Sequence, residues 1–278
     1  MTLDQIIRNA LDEDLGDGDH TSLATVPGET EGRARLILKD EGILCGMLIA
    51  EKIYTFTDPG LKMKQFLSDG DLVRKGDIAF EVSGKIRSIL STERLVLNFM
   101  QRLSGIATAT RNLVNQIKDF HPRIIDTRKT TPNLRELEKY AVRTGGGENH
   151  RFGLFDMIMI KDNHVDFAGG IIPAIIAVQN YLKNSGKKLK IEIEVRNFRE
   201  LEQVMEYGKV DRIMLDNFNP DDLKKAISII DSRFETEASG GINEKNIRSY
   251  AGTGVDFISI GALTHHIKSL DMSLKAVR

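Results

Sequence analysis

"IEIEVRNFRELEQVMEYGKVDRIMLD" (191–216) is the stretch that decides the fold. Its two ends, "IEIEV" and "DRIML", are short apolar runs rich in β-branched and long aliphatic residues, the composition of strands. The segment between them, "NFRELEQVMEYG", reads as a helix. A strand, a helix and another strand within one short stretch form the repeating unit of a parallel α/β fold. Among its acids are Glu194, near the end of the first strand, and Asp216, just after the second.

The same alternation extends in both directions from about residue 120. Six runs read as strands: "RIID" (123–126), "MIMI" (157–160), "IEIEV" (191–195), "DRIML" (211–215), "TEAS" (236–239) and "FISIG" (257–261), of which "TEAS" has the weakest pattern. Helical segments such as "PNLRELEKYAV", "PDDLKKAISII" and "NEKNIRSYAG" lie between them. Each run ends in residues that are costly to bury without purpose. These are 126–129 (DTRK), 161–164 (KDNH), Glu194, Asp216 with Asn217, 239–241 (SGG) and 261–265 (GALTH). In parallel α/β folds the strand C-termini share one face, and ligands bind there. Charged groups after all six strands therefore predict a single pocket. Six strands fall short of the eight of a full barrel, so the pattern predicts an incomplete α/β barrel; an open doubly wound sheet is the alternative.

Residues 1–110 have a different pattern. An amphipathic helix, "MTLDQIIRNALDEDLG", opens them, and a β-rich stretch follows. "GRARLILK" (32–39) is strand-like, and "GLKMKQFLSDGDLVRKGDIAFEVSG" (60–84) holds short strands divided by Asp-Gly and Lys-Gly-Asp turns. Lys62 and Lys64 precede those turns, where a carrier lysine of a lipoyl or biotinyl module would follow them, so hairpins are the reading. "STERLVLNFMQRLSGIATATRNLVNQI" (91–117) predicts one long helix, or two interrupted at Ser104-Gly105, joining the halves. The expected division is 1–110 and 111–278, the second part closing with a C-terminal helix.

The 278 residues carry 39 Lys+Arg against 40 Asp+Glu, a formal charge of −1. This balance argues against nucleic acid as the main ligand and makes the cationic cluster local, which suits a small anion. A single cysteine, Cys45, leaves no internal disulfide and suits a reducing compartment; it reads as a buried apolar residue. The opening segment lacks the character of a signal peptide, and the longest apolar run, "AGGIIPAIIAV", is too short and broken to span a bilayer. A soluble, cytoplasmic protein is the expectation.

Arg128, Lys129, Arg151 and Lys161 offer four positive groups, enough for a ligand with several negative charges. "ASGGIN" (238–243) runs from a strand into a helix, and its glycines let backbone N–H groups approach an anion in the manner of a phosphate cup. "IGALTH" (260–265) could form the other wall. Glu194 and Asp216 among these cations suit ribose hydroxyls, a Mg²⁺ ion or a developing positive charge, or they form salt bridges with the lysines. The inventory suggests a phosphorylated sugar and a polyanionic second substrate.

In order along the chain, "DTRKTTP", "EKYAVRTGGGENHR", "MIMIKDNH", "LDNF", "SGGIN" and "GALTH" resemble quinolinate phosphoribosyltransferases, as do "LDEDLGDGDHTSLATVP" and "STERLVLNFMQRLSGIATAT". The resemblance covers nearly the whole chain. It implies an N-terminal α/β sandwich domain followed by an incomplete, six-stranded α/β barrel. It also implies phosphoribosyl transfer from 5-phosphoribosyl-1-pyrophosphate to quinolinate with decarboxylation, Mg²⁺ as cofactor, and a homodimer or higher homo-oligomer. Carried over by position, Arg94, Arg128, His150, Arg151 and Lys161 would hold quinolinate, Arg94 being donated by the neighbouring subunit. Lys129 would contact the phosphoribosyl-pyrophosphate side, and Glu194 and Asp216 the ribose hydroxyls and metal; these three would be the catalytic groups. Ser239, Gly240, Gly241, Gly261 and His265 would bind phosphate. Three positions depart from the family pattern: Asn133 where glycine is usual, Glu148 where an apolar residue is common, and His266 beside His265. The rival readings are a molybdenum-operon pyrophosphorylase relative, a non-decarboxylating nicotinate phosphoribosyltransferase, and a Schiff-base barrel aldolase using Lys129 or Lys161.

Overall fold

A computed structural model describes residues 2–277. The elements of the first part of the chain are α1 (Leu3–Leu15), α2 (His20–Thr25), β1 (Glu31–Leu38), β2 (Gly42–Ile43), α3 (Met47–Thr57), β3 (Lys62–Gln65), β4 (Leu72–Val73), β5 (Ile78–Lys85) and α4 (Ile86–Gln116). Then come β6 (Arg123–Ile125), α5 (Arg135–Thr144), β7 (Ile158–Ile160), α6 (Asp162–Ala168), α7 (Ile171–Ser185), β8 (Ile191–Val195), α8 (Phe198–Tyr207) and β9 (Arg212–Asp216). The last are α9 (Pro220–Ile230), β10 (Glu235–Ser239), α10 (Ile247–Ala251), β11 (Phe257–Ser259), α11 (Ala262–His265) and β12 (Met272–Val277).

Two units form. One comprises the chain up to Arg111, Thr131–Gly146 and the segment from Thr264 onward; the other comprises Asn112–Thr130 and Gly147–Leu263. The first unit holds an antiparallel sheet in the order β12-β1-β5-β3. β1 alternates along its inner half, with Ala34, Leu36 and Leu38 buried, so one face of the sheet meets the core. α1 begins at a capping box: Thr2 Oγ1 accepts the Gln5 amide, and the Gln5 side chain accepts the Thr2 amide.

One sequence expectation needs correction in this unit, and one alternative that the sequence left open is decided. α4 runs unbroken through Ser104-Gly105. Gly105 is there for close approach: a Cβ at that position would lie 2.4 Å from the Lys268 carbonyl oxygen. Ser104 keeps its hydroxyl inside the helix surface, where it receives the Cys45 amide at 2.9 Å. The expected C-terminal helix is instead the strand β12, whose alternating Met272 and Leu274 are buried and which pairs with β1 from Arg33↔Val277 to Leu38↔Met272. Within the first unit α5 packs against α4. Its Glu138 is fully buried and receives Arg102 Nε and Nη2 from α4 at 2.9 and 2.6 Å. A carboxylate taken out of water needs such a partner, and α4 supplies it.

The second unit contains a parallel sheet of six strands among the described residues, in the order β6-β11-β10-β9-β8-β7. Written as a ring, that order is the order of the sequence, and the one unpaired junction is β6 to β7. A doubly wound sheet would reverse direction at an internal strand; this one does not. The sheet is an incomplete α/β barrel, as the strand count predicts. On the open edge of β6, the Glu148 amide donates to the Ile124 carbonyl at 2.8 Å and the Asp126 amide donates to the Glu148 carbonyl at 3.2 Å. The segment after Gly147 thus occupies part of the missing barrel wall.

Candidate active site

A cavity of about 450 Å³ opens at the C-terminal ends of the barrel strands. Thr127, Arg128 and Lys129 reach it after β6, Lys161 and Asp162 after β7, Glu194 from β8, Asp216 from β9 and Ser239 from β10. His150 and Arg151 enter from the segment at the barrel opening, and Met159 and Met214 supply apolar lining. A larger groove, about 540 Å³, lies at the opposite strand ends around Lys190, Asp211, Arg233 and Asp256. It gathers none of the expected site residues.

Every strand contributes through its two-residue alternation. On β8, Glu192 and Glu194 share the inward face. On β9 it is Arg212, Met214 and Asp216; on β10, Glu235, Glu237 and Ser239. The outermost of each set meets the cavity mouth and the next lies one layer deeper. Burial raises the carboxyl pKa of both Glu194 and Asp216. The neighbouring Asp216 adds to the shift at Glu194, and Asp162 raises both, while Lys161 opposes it at both. These acids repel one another as built, and a cation would relieve them.

The clamp residues are held from behind. Asp126 is fully buried; its carboxylate accepts the His150 amide at 2.8 Å and the Asn149 side-chain amide at 2.6 Å. Arg151 donates to the Met157 carbonyl at 3.1 Å, and burial together with the nearby Arg128 pushes its pKa down. A site that keeps two guanidiniums this close is prepared for an anion.

His150 lines the cavity. Its Nδ1 accepts the Arg151 amide at 2.6 Å, and its Nε2 lies 2.9 Å from Glu192 and 3.3 Å from Glu237. Both ring nitrogens therefore face protein groups. Burial opposes a charge on the ring, but the close Glu192 and Glu237 carboxylates outweigh it and push His150 up to about 9. Burial and the adjacent Glu237 raise Glu192 to about 7, while the His150 contacts help hold Glu237 low despite its burial. A second ring proton at Nδ1 would confront the Arg151 N–H. The additional proton retained by this cluster accordingly belongs to the Glu192–Glu237 pair, and its titration is a property of the group.

Ser239 leads into Gly240 and Gly241, at φ +97° and +64°. A Cβ on Gly240 would stand 2.2 Å from Asn217 Oδ1, so only glycine lets the turn after β10 pass beside the turn after β9. Gly261 follows β11 at the same end of the barrel. Arg94, exposed on α4, and His265, in α11, belong to the first unit.

Residues 19–104 match the family model "Quinolinate phosphoribosyl transferase, N-terminal domain", and residues 106–275 match "Quinolinate phosphoribosyl transferase, C-terminal domain". The chain belongs to the quinolinate phosphoribosyltransferase family. It is 46% identical over 286 residues to quinolinate phosphoribosyltransferase [decarboxylating] 1b of Nicotiana tabacum, covering 97% of this chain and 81% of that protein. The crystal structure of NadC from Streptococcus pyogenes superposes with a TM-score of 0.93 at 38% identity, covering 99% of this chain and 97% of the other. The nicotinate-nucleotide pyrophosphorylase from Francisella tularensis gives 0.93 at 41%, covering 99% and 96%.

The departures from the family pattern have local explanations. Asn133 sits at φ +68°, in the left-handed region, which accounts for the glycine usual in the family and for asparagine as its substitute. Glu148 pairs with Arg123 at 3.2 Å and does not line the cavity. His266 lies in ring contact with His265. Sequence reasoning placed Asp126 and Asp162 at the pocket without a role and missed Glu192 and Glu237. Glu192 was within reach of it: an acid two positions before Glu194 in a strand must share its face.

Proposed function

We propose that this chain transfers the phosphoribosyl group of 5-phosphoribosyl-1-pyrophosphate to quinolinate with loss of CO₂, yielding nicotinate mononucleotide and pyrophosphate for NAD biosynthesis. The observation that carries the reading is the convergence of Arg128, Lys129, Arg151 and Lys161 with Glu194 and Asp216 at one cavity mouth. Cations on that scale suit two polyanionic substrates. Arg128, Arg151 and Lys161 hold the quinolinate carboxylates, with Met159 and Met214 against the ring. Lys129, Ser239, Gly240, Gly241, Gly261 and His265 serve the phosphates.

The C1′–oxygen bond to pyrophosphate breaks as positive charge develops on the sugar, and Glu194 and Asp216 stabilise that charge. The quinolinate nitrogen forms the new bond to C1′, its aim set by the carboxylate clamp. The ring, now a pyridinium, accepts the electron pair left when the adjacent carboxylate departs as CO₂, and that carbon then takes up a proton. Glu194 and Asp216 fit Mg²⁺, which takes one or two carboxylates and completes its shell with water and phosphate oxygens. When bound, the ion neutralises charge on the pyrophosphate.

The proposal includes a homodimer in which the neighbouring subunit donates Arg94. Arg94 is exposed, and the second unit exposes Leu154, Phe155 and Phe167, apolar side chains of the kind that subunit contacts cover. Among the described residues no single helix is long and apolar enough to cross a membrane. A cytoplasmic placement is part of the same reading. The test is direct: the protein is incubated with quinolinate, 5-phosphoribosyl-1-pyrophosphate and Mg²⁺, with and without a chelator. Nicotinate mononucleotide and CO₂ should appear in equal amounts only when all three are present. Product without CO₂ release, or a borohydride-trapped lysine adduct, would replace this reading with one of its rivals.

A further inference from the structure

The barrel core below the cavity is ionic where a complete barrel is packed with aliphatic side chains. Glu192 and Glu237 are fully buried, come from the inward faces of β8 and β10, and converge on the His150 ring. Arg212 closes the group from below, with Nη1 3.2 Å from Glu237, its guanidinium lying over the Phe257 ring. Burying two carboxylates is expensive, and a core of this size could be filled with Val or Leu. The geometry gives their presence a purpose. His150 is a neighbour of Arg151 in sequence, and its Nδ1 receives the Arg151 amide.

We propose that Glu192 and Glu237 are positioning residues for the anion clamp: by fixing the proton of the His150 ring on Nε2, they leave Nδ1 as an acceptor that sets the Arg151 backbone and so aims its guanidinium. The inference rests on the reading of Arg151 as a quinolinate ligand. Neither glutamate needs to touch substrate. Each acts through the ring, and the ring acts through one amide. The arrangement follows the logic by which a carboxylate selects a histidine tautomer and orientation in metal and catalytic sites. Arg212 holds Glu237, and the Asp126 carboxylate holds the His150 amide, so the ring is fixed at both ends of its residue.

Two measurements test this. In the first, quinolinate and 5-phosphoribosyl-1-pyrophosphate kinetics are compared for Glu192→Leu, Glu192→Gln and Glu237→Gln. Glu192→Leu removes the carboxylate that faces Nε2 at 2.9 Å and should raise the quinolinate KM about tenfold or more, leaving the KM for the other substrate within about twofold. Glu192→Gln retains an acceptor oxygen and should recover most of the loss. Equal rises in both KM values, or no rise in Glu192→Leu, would overturn the proposal. The second measurement uses the unaltered protein and does not depend on any variant folding. ¹⁵N-histidine NMR at neutral pH, with His150 identified by its absence in His150→Gln, should show a protonated Nε2 and a bare Nδ1. A proton on Nδ1 would overturn the proposal. If the unaltered protein forms no nicotinate mononucleotide, the functional reading fails instead, and the tautomer result still decides whether the glutamates order the ring.

Discussion

The buried carboxylate of Asp126 and the backbone amide of His150 lie 2.8 Å apart, a hydrogen bond that ties the end of β6 to the segment filling the barrel opening. Asp126 stands two residues before Arg128, and His150 one before Arg151. One carboxylate therefore fixes the spacing between the two arginines. In Asp126→Ala, the His150 and Asn149 donors lose their acceptor. That should cost about 1–3 kcal/mol of stability, read by denaturant unfolding, and should raise the quinolinate KM.

Arg151→Ala should weaken quinolinate binding about ten- to a hundredfold while leaving 5-phosphoribosyl-1-pyrophosphate binding nearly intact, because a charge-assisted contact contributes roughly 1.5–3 kcal/mol. Arg151→Lys should restore only part, since an ammonium cannot reproduce the planar fork. Separate calorimetric titrations of the two substrates check this. Equal loss for both would remove Arg151 from the clamp.

Gly240→Ala should act twice. Its Cβ meets Asn217 Oδ1 at 2.2 Å and its backbone stays at φ +97°, so the turn must move. A stability loss of about 1–3 kcal/mol is expected from strain of this kind. Phosphate-side binding should fall while quinolinate binding survives. Normal 5-phosphoribosyl-1-pyrophosphate affinity in a folded Gly240→Ala protein would make the turn structural only.

Stability should decline on the alkaline side of neutrality. The buried His150–Glu192–Glu237 cluster, in which His150 is raised from 6.5 to about 9 and Glu192 from 4.5 to about 7, holds its additional proton as a group more tightly in the folded chain than in the unfolded one. Groups raised in this way contribute fully below their unfolded pKa and lose that contribution as pH passes the folded value. Carboxylates held low, such as Asp256 and Asp156, already contribute in full at neutral pH and add no slope here. The thermal midpoint should therefore fall by several degrees, on the order of 2 kcal/mol, between about pH 6.5 and 9. His150→Gln should flatten the curve; an unchanged curve in that variant would assign the loss to other groups.

Arg94→Ala and Lys129→Ala, each nearly inactive alone and still dimeric, should complement one another if Arg94 is donated across subunits. A mixed dimer collects both lesions in one site and none in the other. Random re-pairing of equal amounts makes about half the dimers mixed, so roughly a quarter of the original activity should return. Mixed dimers verified by mass spectrometry but without activity would return Arg94 to its own subunit, or to no site.

The barrel was legible because each strand is a short apolar run closed by polar residues, and even "TEAS" formed its strand, β10. Its pattern is weak because Glu237 is buried against His150 and Arg212, partners that the linear sequence does not place beside it. The cavity cations and the acids Glu194 and Asp216 were legible for a local reason: they directly follow or end their strands. The deeper layer was not, since Glu192 and Glu237 gain meaning only when β8 and β10 face each other across the barrel. Ser104-Gly105 left the choice between one helix and two open because a glycine in a helix can mark a break or admit a neighbouring backbone. The glycine expected at position 133 and the asparagine found there answer the same left-handed backbone.

The pairing of β12 with β1 sets a timetable for synthesis. Arg33 is made long before its sheet partner Val277. Until then the outer edge of β1 has no strand beside it, while the β6 to β11 barrel strands all precede β12 in the chain. An uncovered strand edge invites pairing with other chains. The growing chain thus carries this risk of aggregation from β1 until β12 is made and folds back onto it, so a chain cut just before Met272 would keep its barrel strands and a sticky sheet edge.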